Sequence, residues 1–476
     1  MNLADKLNQF KESPYYKAIG NVADQMGVKA YLVGGFARDL LLNRQSKDAD
    51  VLVVGDGVAF SKKVHDSIGD GKYSYFKNFG TANIRFRNGF ELEFVGARKE
   101  SYNRGSRNPI VENGSFLDDI ARRDFTINTL AIALNEQNFG ELVDTYNGHK
   151  DLINGIIKTP LDPLVTYSDD PLRMMRAIRF ASQLNFKIND GSFRVIAKVR
   201  DRIAIISQER ITDELNKIML SPRPSIGFDL LEQCGLLHII FPELVALKGV
   251  EEKLGIGHKD NFYHTLKVVD NVAAVSGDLW LRWSAMLHDI GKAPTKRFDN
   301  KSGWTFHGHE VVGARMTKKI FARMKMPLGN EMKYVQKLVN LHLRPIALTQ
   351  EVTDSAVRRL IVDAGNDIED LFKLCKADIT SKNPKKVRRI IKGFEGVEQK
   401  VNEVETRDHL RNWKNPITGE DIMAYFDLKP SKVIGDIKNE IKEAIMNGQI
   451  ENNRSKAHEL MVSLGTELGL IAKKEE

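Results

Sequence analysis

Cysteine is scarce: the chain holds two, Cys234 and Cys375, far apart and outside any Cys-x-x-Cys. That excludes a disulfide framework and a cysteine-ligated zinc site, and it suits a reducing cytoplasm, the expected location. No charge-free apolar run approaches the roughly 20 residues that a membrane-spanning helix needs. The opening MNLADKLNQF has no basic flank ahead of an apolar stretch, so neither secretion nor membrane insertion is expected. Internal repeats and long low-complexity tracts are missing as well, so the units must be found from changes of pattern. What remains is an ordinary globular composition, 42% hydrophobic and 28% charged over 476 residues, enough for several domains. Lys plus Arg (71) exceeds Asp plus Glu (63), a net +8 that favours a polyanionic partner.

Between about residues 31 and 144, short apolar runs alternate with helical stretches. Ala30–Val33, Val51–Val54, Ile84–Phe86 and Leu92–Val95 are expected strands. Beyond Pro171 strand signals nearly vanish. Pro171 followed by LRMMRAIRFASQL predicts a helix with proline in its first turn and an apolar stripe of Leu172, Met175, Ile178 and Leu184. His258, His264, His288, His307, His309 and His342 set the stretch from about 250 to 380 apart. The tail from Asn415 reads as helical again, punctuated by Pro416, Gly419, Pro430 and Gly435. The expected class is α+β, divided at 1–155, 156–245, 246–385 and 386–476.

The first constellation is Gly34-Gly35 where a strand turns into a helix, with Arg38 one turn on. Backbone N–H groups at such a turn can face a phosphate closely, and the arginine adds a charge-assisted contact. Lys47-Asp48-Ala49-Asp50 then runs into an apolar strand. Positions i and i+2 share a strand face, so Asp48 and Asp50 project together, and two adjacent carboxylates repel unless cations separate them. A pair of Mg²⁺ ions would bridge them while clamping a triphosphate and an incoming hydroxyl.

GGFARDLLL followed by KDADVLVV resembles the head of the class II tRNA nucleotidyltransferases, the CCA-adding enzymes and bacterial poly(A) polymerases of the polymerase-β superfamily. The resemblance implies that Gly35 and Arg38, with Gly34 beside them, hold the triphosphate, and that Asp48 and Asp50 hold the metals. A further acidic residue on a neighbouring strand is implied. Glu91 and Glu93 are the candidates, and Glu93 matches better by its distance to Arg98; an exposed edge strand would carry the same pair. ARRDFTIN at Ala121–Asn128 is similar to the stretch that closes the family's head, which places Arg123 on the nucleotide phosphates.

On the following helix, Asp170 leads Arg173, Arg176 and Arg179 at three-residue spacing, along one flank. Parallel arginines suggest phosphate or RNA. Cytosine and adenine share an amino donor beside a ring-nitrogen acceptor, whereas uracil and guanine present a carbonyl beside an N–H. A carboxylate next to an arginine therefore accepts C and A and rejects U and G. Asp170 and Arg173 are that pair of types, and the family uses an Asp and an Arg here as an amino-acid template. Asp169 stands where the family more often has Glu. The chemistry implied is attack of a tRNA 3′-hydroxyl on the α-phosphate of CTP or ATP, with release of pyrophosphate.

Leu287-His288-Asp289-Ile290-Gly291-Lys292 is expected on a helix ending near Gly291, with His264 upstream and Asp378 downstream. This order resembles the HD phosphohydrolase superfamily, which implies a divalent ion, a transition metal or Mg²⁺, on His264, His288, Asp289 and Asp378. His309 and His342 are secondary candidates. The tail resembles the helical segment that holds the tRNA elbow. Lys432, Lys438 and Lys442 would steer RNA, although an amphipathic helix pair with a solvated lysine face reads the same. Ser431 follows Pro430 where the family usually has glycine.

The reading is thus a nucleotidyltransferase head, a helical neck for base recognition, an HD unit and an RNA-binding tail, adding CCA to tRNA from CTP and ATP. The alternatives are a CC-only, A-only or poly(A)-adding enzyme, and a metal-dependent phosphohydrolase with a nucleotide-binding head. The loop that switches C to A addition falls within Ser101 to Gly114.

Overall fold

The computed structural model describes residues 12–76, 80–101, 110–254, 256–257, 259–349, 352–381 and 383–473. They fall into two compact units that divide between Pro242 and Glu243.

The first unit is built on strands β1 (Ala30–Val33), β2 (Asp48–Val53), β3 (Lys72–Phe76), β4 (Thr81–Arg85) and β5 (Glu91–Gly96), followed by β6 (Arg98–Ser101), β7 (Ile110–Asn113), β8 (Ala131–Ala133) and β9 (Leu142–Val143). Seven of them form one mixed sheet in the order β3-β4-β5-β2-β1-β8-β9, and β6 and β7 form a separate hairpin. Strand β2 pairs antiparallel with β1 and parallel with β5. Its apolar half, Val51-Leu52-Val53, is fully buried because both sheet faces are covered there. Helices α1 (Pro14–Met26) and α2 (Gly35–Leu41) flank β1 in the chain, and α3 (Gly57–Ile68) follows β2. Phe60 of α3 meets Phe94 of β5 edge to face. Tyr31, Val33, Leu52, Ala97, Ala131, Ala133 and Ile120 of α4 (Phe116–Ala121) form a second cluster.

All four expected strands are present: Ala30–Val33 has the expected ends, and the other three have shifted ends. Strand β2 begins at Asp48 rather than Val51, so its two carboxylates lie inside the ladder. Strand β3, KYSYF, carried no strand signal because it is an edge strand whose side chains stay half-buried or exposed. The neck is helical: α5 (Leu172–Leu184) starts after Pro171 and closes at Asn185 in the left-handed region, and α6 (Gln208–Met219) packs beside it.

In the second unit the described residues are helical apart from two short hairpins. Helices α7 (Asn261–Val275) and α8 (Leu279–Leu287) are each capped by a preceding aspartate, Asp260 and Asp278, whose carboxylate accepts a first-turn N–H. Then come α9 (His309–Arg323), α10 (Asn330–Leu341), α11 (Ile368–Ala377), the 25-residue α12 (Pro384–Asp408) and α13 (Lys432–Met446). The architecture is α+β, a mixed-sheet head followed by helical units. No helix among the described residues is long and apolar enough to cross a membrane.

Candidate active site and candidate metal centre

Three carboxylates meet at one end of β2 and β5. The parallel register sets Asp50 opposite Glu93 and Asp48 opposite Glu91. Glu91 is paired with Arg85 at 3.0 Å, whereas Glu93 and Asp50 both line a cavity of about 840 Å³. Asp48 is exposed two residues before Asp50 on the same strand face, where it accepts from Ser46 Oγ at 3.1 Å. Burial pushes Asp50 up to about 6; Arg123 opposes this, and the carboxylates of Glu93, Asp48 and Asp119 add to it. Oxygen donors crowded at one end of two neighbouring strands fit a hard divalent cation.

Gly34 lies against Asp50 with φ +71°, a backbone conformation that favours glycine. A Cβ here would stand 2.9 Å from Arg123 Nη1 and 3.2 Å from Asp50 Oδ2, so Gly34 lets the arginine and the aspartate approach each other. Gly35 lines the same cavity.

Arg38, Arg123, Asp170, Arg173, Arg176 and Arg179 also line this cavity, so the structure collects the sequence-predicted nucleotide residues in one place. It also gives each arginine an internal partner, which the sequence did not reveal. Arg176 donates to Asp124 at 2.7 Å, Arg179 pairs with Glu214 at 3.0 Å, and Arg173 donates to the carbonyls of Arg122 and Thr166. Two of the three parallel arginines, Arg176 and Arg179, therefore do not depend on a bound anion for charge balance, whereas Arg173 has only neutral carbonyl acceptors. Asp170 accepts from the Leu172 N–H through one oxygen.

Several supporting residues escaped sequence reasoning. Fully buried Asp119 accepts from Arg122 and, at 3.0 Å, from Arg123. Asp124 takes Arg176 on one oxygen and Asn128 Nδ2 on the other at 2.8 Å, and Asn128 Oδ1 accepts from Arg38 at 2.8 Å. Burial alone would raise Asp124, but Arg176, Asn128 and Arg173 more than offset it and hold its carboxyl down at about 2. The guanidinium groups of Arg38 and Arg179 stack over Phe180 at 4.9 and 4.3 Å. Arg210 of α6 also lines the cavity. The only signal for Asp124 and Asn128 in the sequence was their place inside ARRDFTIN.

In the second unit, His264 on α7, Asp378 directly after α11, and His288 with Asp289 after α8 converge. Helix α8 closes at Leu287, so the His-Asp pair occupies the turn beyond the helix and not the helix itself. The turn leads to Gly291, where a Cβ would stand 2.1 Å from the His309 carbonyl oxygen and 2.7 Å from the Gly313 nitrogen. The chain can pass α9 this closely only without a side chain. Because both clashes are with backbone, Gly291→Ala is expected to cost about 3 kcal/mol, seen as a lower unfolding midpoint of the fluorescence of buried Trp283; an unchanged midpoint would contradict the packing.

His264 Nε2 lies 2.8 Å from Asp378 Oδ1 and 3.5 Å from Asp289 Oδ2, and His288 Nε2 lies 3.6 and 3.2 Å from the same oxygens. Burial opposes charge on His288, yet Asp289 and Asp378 hold it up to about 10, while burial and the neighbouring His288 push His342 down to about 4. Lys292 donates to Asp289 Oδ2 at 2.6 Å. Imidazoles and carboxylates at these spacings fit a divalent transition ion. His307 is exposed, and His258 lies outside the described residues.

Lys432, at the start of α13, is exposed; Lys438 and Lys442 are half-buried one turn apart, and Ile434, Ile437 and Ile441 form the helix's inner face. Residues 102–109 of the Ser101 to Gly114 stretch lie outside the described residues.

Comparison with known proteins gives three family matches: a poly(A) polymerase head domain over residues 30–158, a probable RNA and SrmB-binding site of polymerase A over 185–247, and an HD domain over 261–383. An A-adding tRNA nucleotidyltransferase of Geobacter sulfurreducens is 37% identical over 343 residues, 72% of this chain. The chain spans only 35% of that relative's length. A multifunctional CCA protein of Nitrosococcus oceani is 30% identical over 367 residues, 74% of this chain and 84% of the relative. Among solved structures, a Thermotoga maritima CCA-adding enzyme complexed with tRNA shares the fold at 20% identity with a TM-score of 0.60, covering 98% of this chain and 99% of that one. The first unit carries a head of the poly(A) polymerase type. The chain belongs to the tRNA nucleotidyltransferase and poly(A) polymerase family, with an HD domain.

Proposed function

We propose that the protein extends the 3′ end of tRNA with CCA, without a nucleic-acid template, using CTP and ATP in the cytoplasm. The observation that carries this reading is the single cavity that holds Asp50 and Glu93 beside Gly34, Arg38, Arg123, Asp170 and Arg173. Relatives named as A-adding and as multifunctional CCA proteins support the reaction class. The four-part division at 1–155, 156–245, 246–385 and 386–476 belongs to the same proposal, with Lys432, Lys438 and Lys442 of the tail steering RNA.

Asp48, Asp50 and Glu93 would hold Mg²⁺. When bound, the ions lower the pKa of the attacking hydroxyl and neutralise charge on the triphosphate. Gly34 and Gly35 leave room for phosphate oxygens next to Asp50. Arg38, Arg123, Arg176 and Arg179 place the triphosphate, each already oriented by Asp39, Asp119, Asp124 or Glu214. The 3′-oxygen of the tRNA forms a bond to the α-phosphorus in line as the bond to the bridging oxygen breaks, and pyrophosphate leaves. Asp170 accepts from the amino group of C or A while Arg173 donates to the ring nitrogen.

Asp170→Ala and Arg173→Ala should each lower the preference for CTP over UTP by about 10- to 100-fold, the value of one charge-assisted hydrogen bond. Competitive incorporation measures the ratio, and an unchanged ratio would remove the template assignment. The reaction itself is tested with Mg²⁺, all four NTPs and a tRNA transcript truncated before its terminal CCA, followed by sequencing of the 3′ ends. Ends reading CCA support the proposal. CC alone or A alone replaces it with a partial enzyme, a long A tail with a poly(A) polymerase, and no addition shifts the weight to the HD unit. There, His264, His288, Asp289 and Asp378 would hold a divalent ion and support phosphoester hydrolysis.

A further inference from the structure

Helix α12 runs for 25 residues, and its two halves carry opposite charge. From Pro384 to Lys392 it holds Lys385, Lys386, Arg388, Arg389 and Lys392 and no acid; from Gly393 to Asp408 it holds five acids and only Lys400 and Arg407 as cations. The acidic half is packed and paired. Phe394, Val397, Val401 and Val404 are buried, and the ion pairs that α12 makes among the described residues all fall on Glu398, Lys400, Glu403, Arg407 and Asp408. The basic half is neither: all five of its cations are exposed, and no residue before Phe394 is buried.

Spacing sorts these charges. Lys385, Arg388, Arg389 and Lys392 stand at i, i+3, i+4 and i+7, one stripe about 10 Å long on a single helix face. Val387, Ile390 and Phe394 stand on the opposite face, which turns inward: the first two are half-buried and the third is buried. Gly393 beside them passes so close to Thr349 that a Cβ would stand 2.9 Å from the threonine Cβ. Local energetics oppose the basic stripe. Lys385 with Arg389, and Arg388 with Lys392, are like-charge pairs at i,i+4, and Lys385 and Lys386 occupy the first turn, where the macrodipole favours acids. The helix nevertheless starts firmly: Asn383 Oδ1 accepts from the N–H groups of Lys385 and Lys386, and Pro384 sits in the first turn. A well-capped helix loaded with mutually repelling cations is stabilised when an external polyanion lies against it.

We infer that the stripe of Lys385, Arg388, Arg389 and Lys392 docks the phosphate backbone of double-helical RNA. The cations neutralise phosphates, and the two arginines hold them through paired N–H donors. Chemistry separates this partner from its neighbours. Single-stranded RNA is held by stacking of bases on aromatic rings, and the exposed stretch 384–392 contains no aromatic residue. A membrane-surface helix buries a broad apolar face in lipid, and here the apolar face is turned into the protein. What remains is recognition of a stem through its backbone, independent of base sequence. The HD match ends at residue 383, so the stripe lies beyond all three family matches. The proposed tRNA substrate supplies such a stem, and the inference rests on that reading only for which stem it is.

The test measures binding of a blunt RNA duplex without tRNA features to the full chain as salt is raised. The variant carrying Lys385→Gln, Arg388→Gln, Arg389→Gln and Lys392→Gln should bind about 10- to 100-fold more weakly at low salt, with the slope of log K against log salt smaller by about 3. A control carrying Lys62→Gln, Lys187→Gln, Lys373→Gln and Lys456→Gln loses the same net charge from lysines that are already paired, and its slope should stay within about 1 of the parent's. In the parent, added duplex should slow hydrogen exchange of the amides of residues 384–393, a readout that needs no variant. A parent that binds no duplex, an unprotected 384–393 segment, an unchanged slope in the stripe variant, or equal losses in the two variants would each overturn the inference. So would a larger loss for single-stranded RNA than for duplex, or a loss confined to phosphatidylserine vesicles, which would give the stripe to a membrane. None of these outcomes touches the tRNA reading, which the sequenced 3′ ends decide. A parent that adds nothing to tRNA yet shows the expected slopes keeps the docking surface and loses only the identity of its stem.

Discussion

Asp48→Ala combined with Asp50→Ala is expected to lower CTP incorporation into truncated tRNA by about a thousandfold or more. On the proposed mechanism, cations held by these carboxylates would supply several kilocalories of transition-state stabilisation, and each ~1.4 kcal/mol is a factor of ten. Binding of CTP should weaken far less, because Arg38, Arg123 and Arg176 keep their own partners, Asp39, Asp119 and Asp124. The pair of measurements separates chemistry from binding: single-turnover incorporation and equilibrium CTP affinity on the same variant. Full incorporation by the double variant would eliminate the head as the catalytic centre, and an equal loss of affinity would make the aspartates binding residues only.

Asp124→Asn should be the most damaging conservative change in the first unit. It removes the charge that Arg176 is paired with in a buried site and costs about 3 kcal/mol at neutral pH. The sign with pH follows from the direction of the shift. Asp124 is held at about 2 against an ordinary 3.8, so its ionised form stabilises the fold by about 2.5 kcal/mol above pH 4. That contribution is lost as pH falls from 4 through 2. The gap between parent and variant should therefore be full at pH 7 and narrow toward pH 2. The four tryptophans are Trp280, Trp283, Trp304 and Trp413, all in the second unit, so fluorescence is blind to this change. Hydrogen exchange of amides in residues 120–180 reports it, and a gap that stays constant with pH would contradict the pairing.

These two predictions differ in how visible their residues are in the sequence. Asp48 and Asp50 are legible because the feature that makes them a pair, two residues apart at the start of an apolar strand, is local. Gly34-Gly35 and the Arg173, Arg176 and Arg179 spacing are legible for the same reason. Asp124 is not, because its partner Arg176 is 52 residues away and nothing in ARRDFTIN says where that arginine will be. Glu93 was a choice between two glutamates; the β2–β5 register sets it opposite Asp50 and leaves Glu91 to Arg85. The His-Asp pair pointed to a candidate metal site, but the convergence of His309 and His342 on the far oxygen of Asp289 depends on how α9 and α10 pack, which periodicity does not specify. Strand β3 was missed because an exposed edge carries no apolar alternation.

The two donor sets differ in kind: the first unit offers carboxylate oxygens alone, the second mostly imidazole nitrogen. Magnesium is abundant in any cell and content with oxygen, whereas the ions that imidazole selects are scarce and rationed. On the proposed ligand reading, a cell starved of nickel or zinc would therefore lose whatever the second unit does while the first kept working. A nitrogen-based chelator such as phenanthroline should reproduce that starvation in a test tube, silencing one half of a single polypeptide and sparing the other.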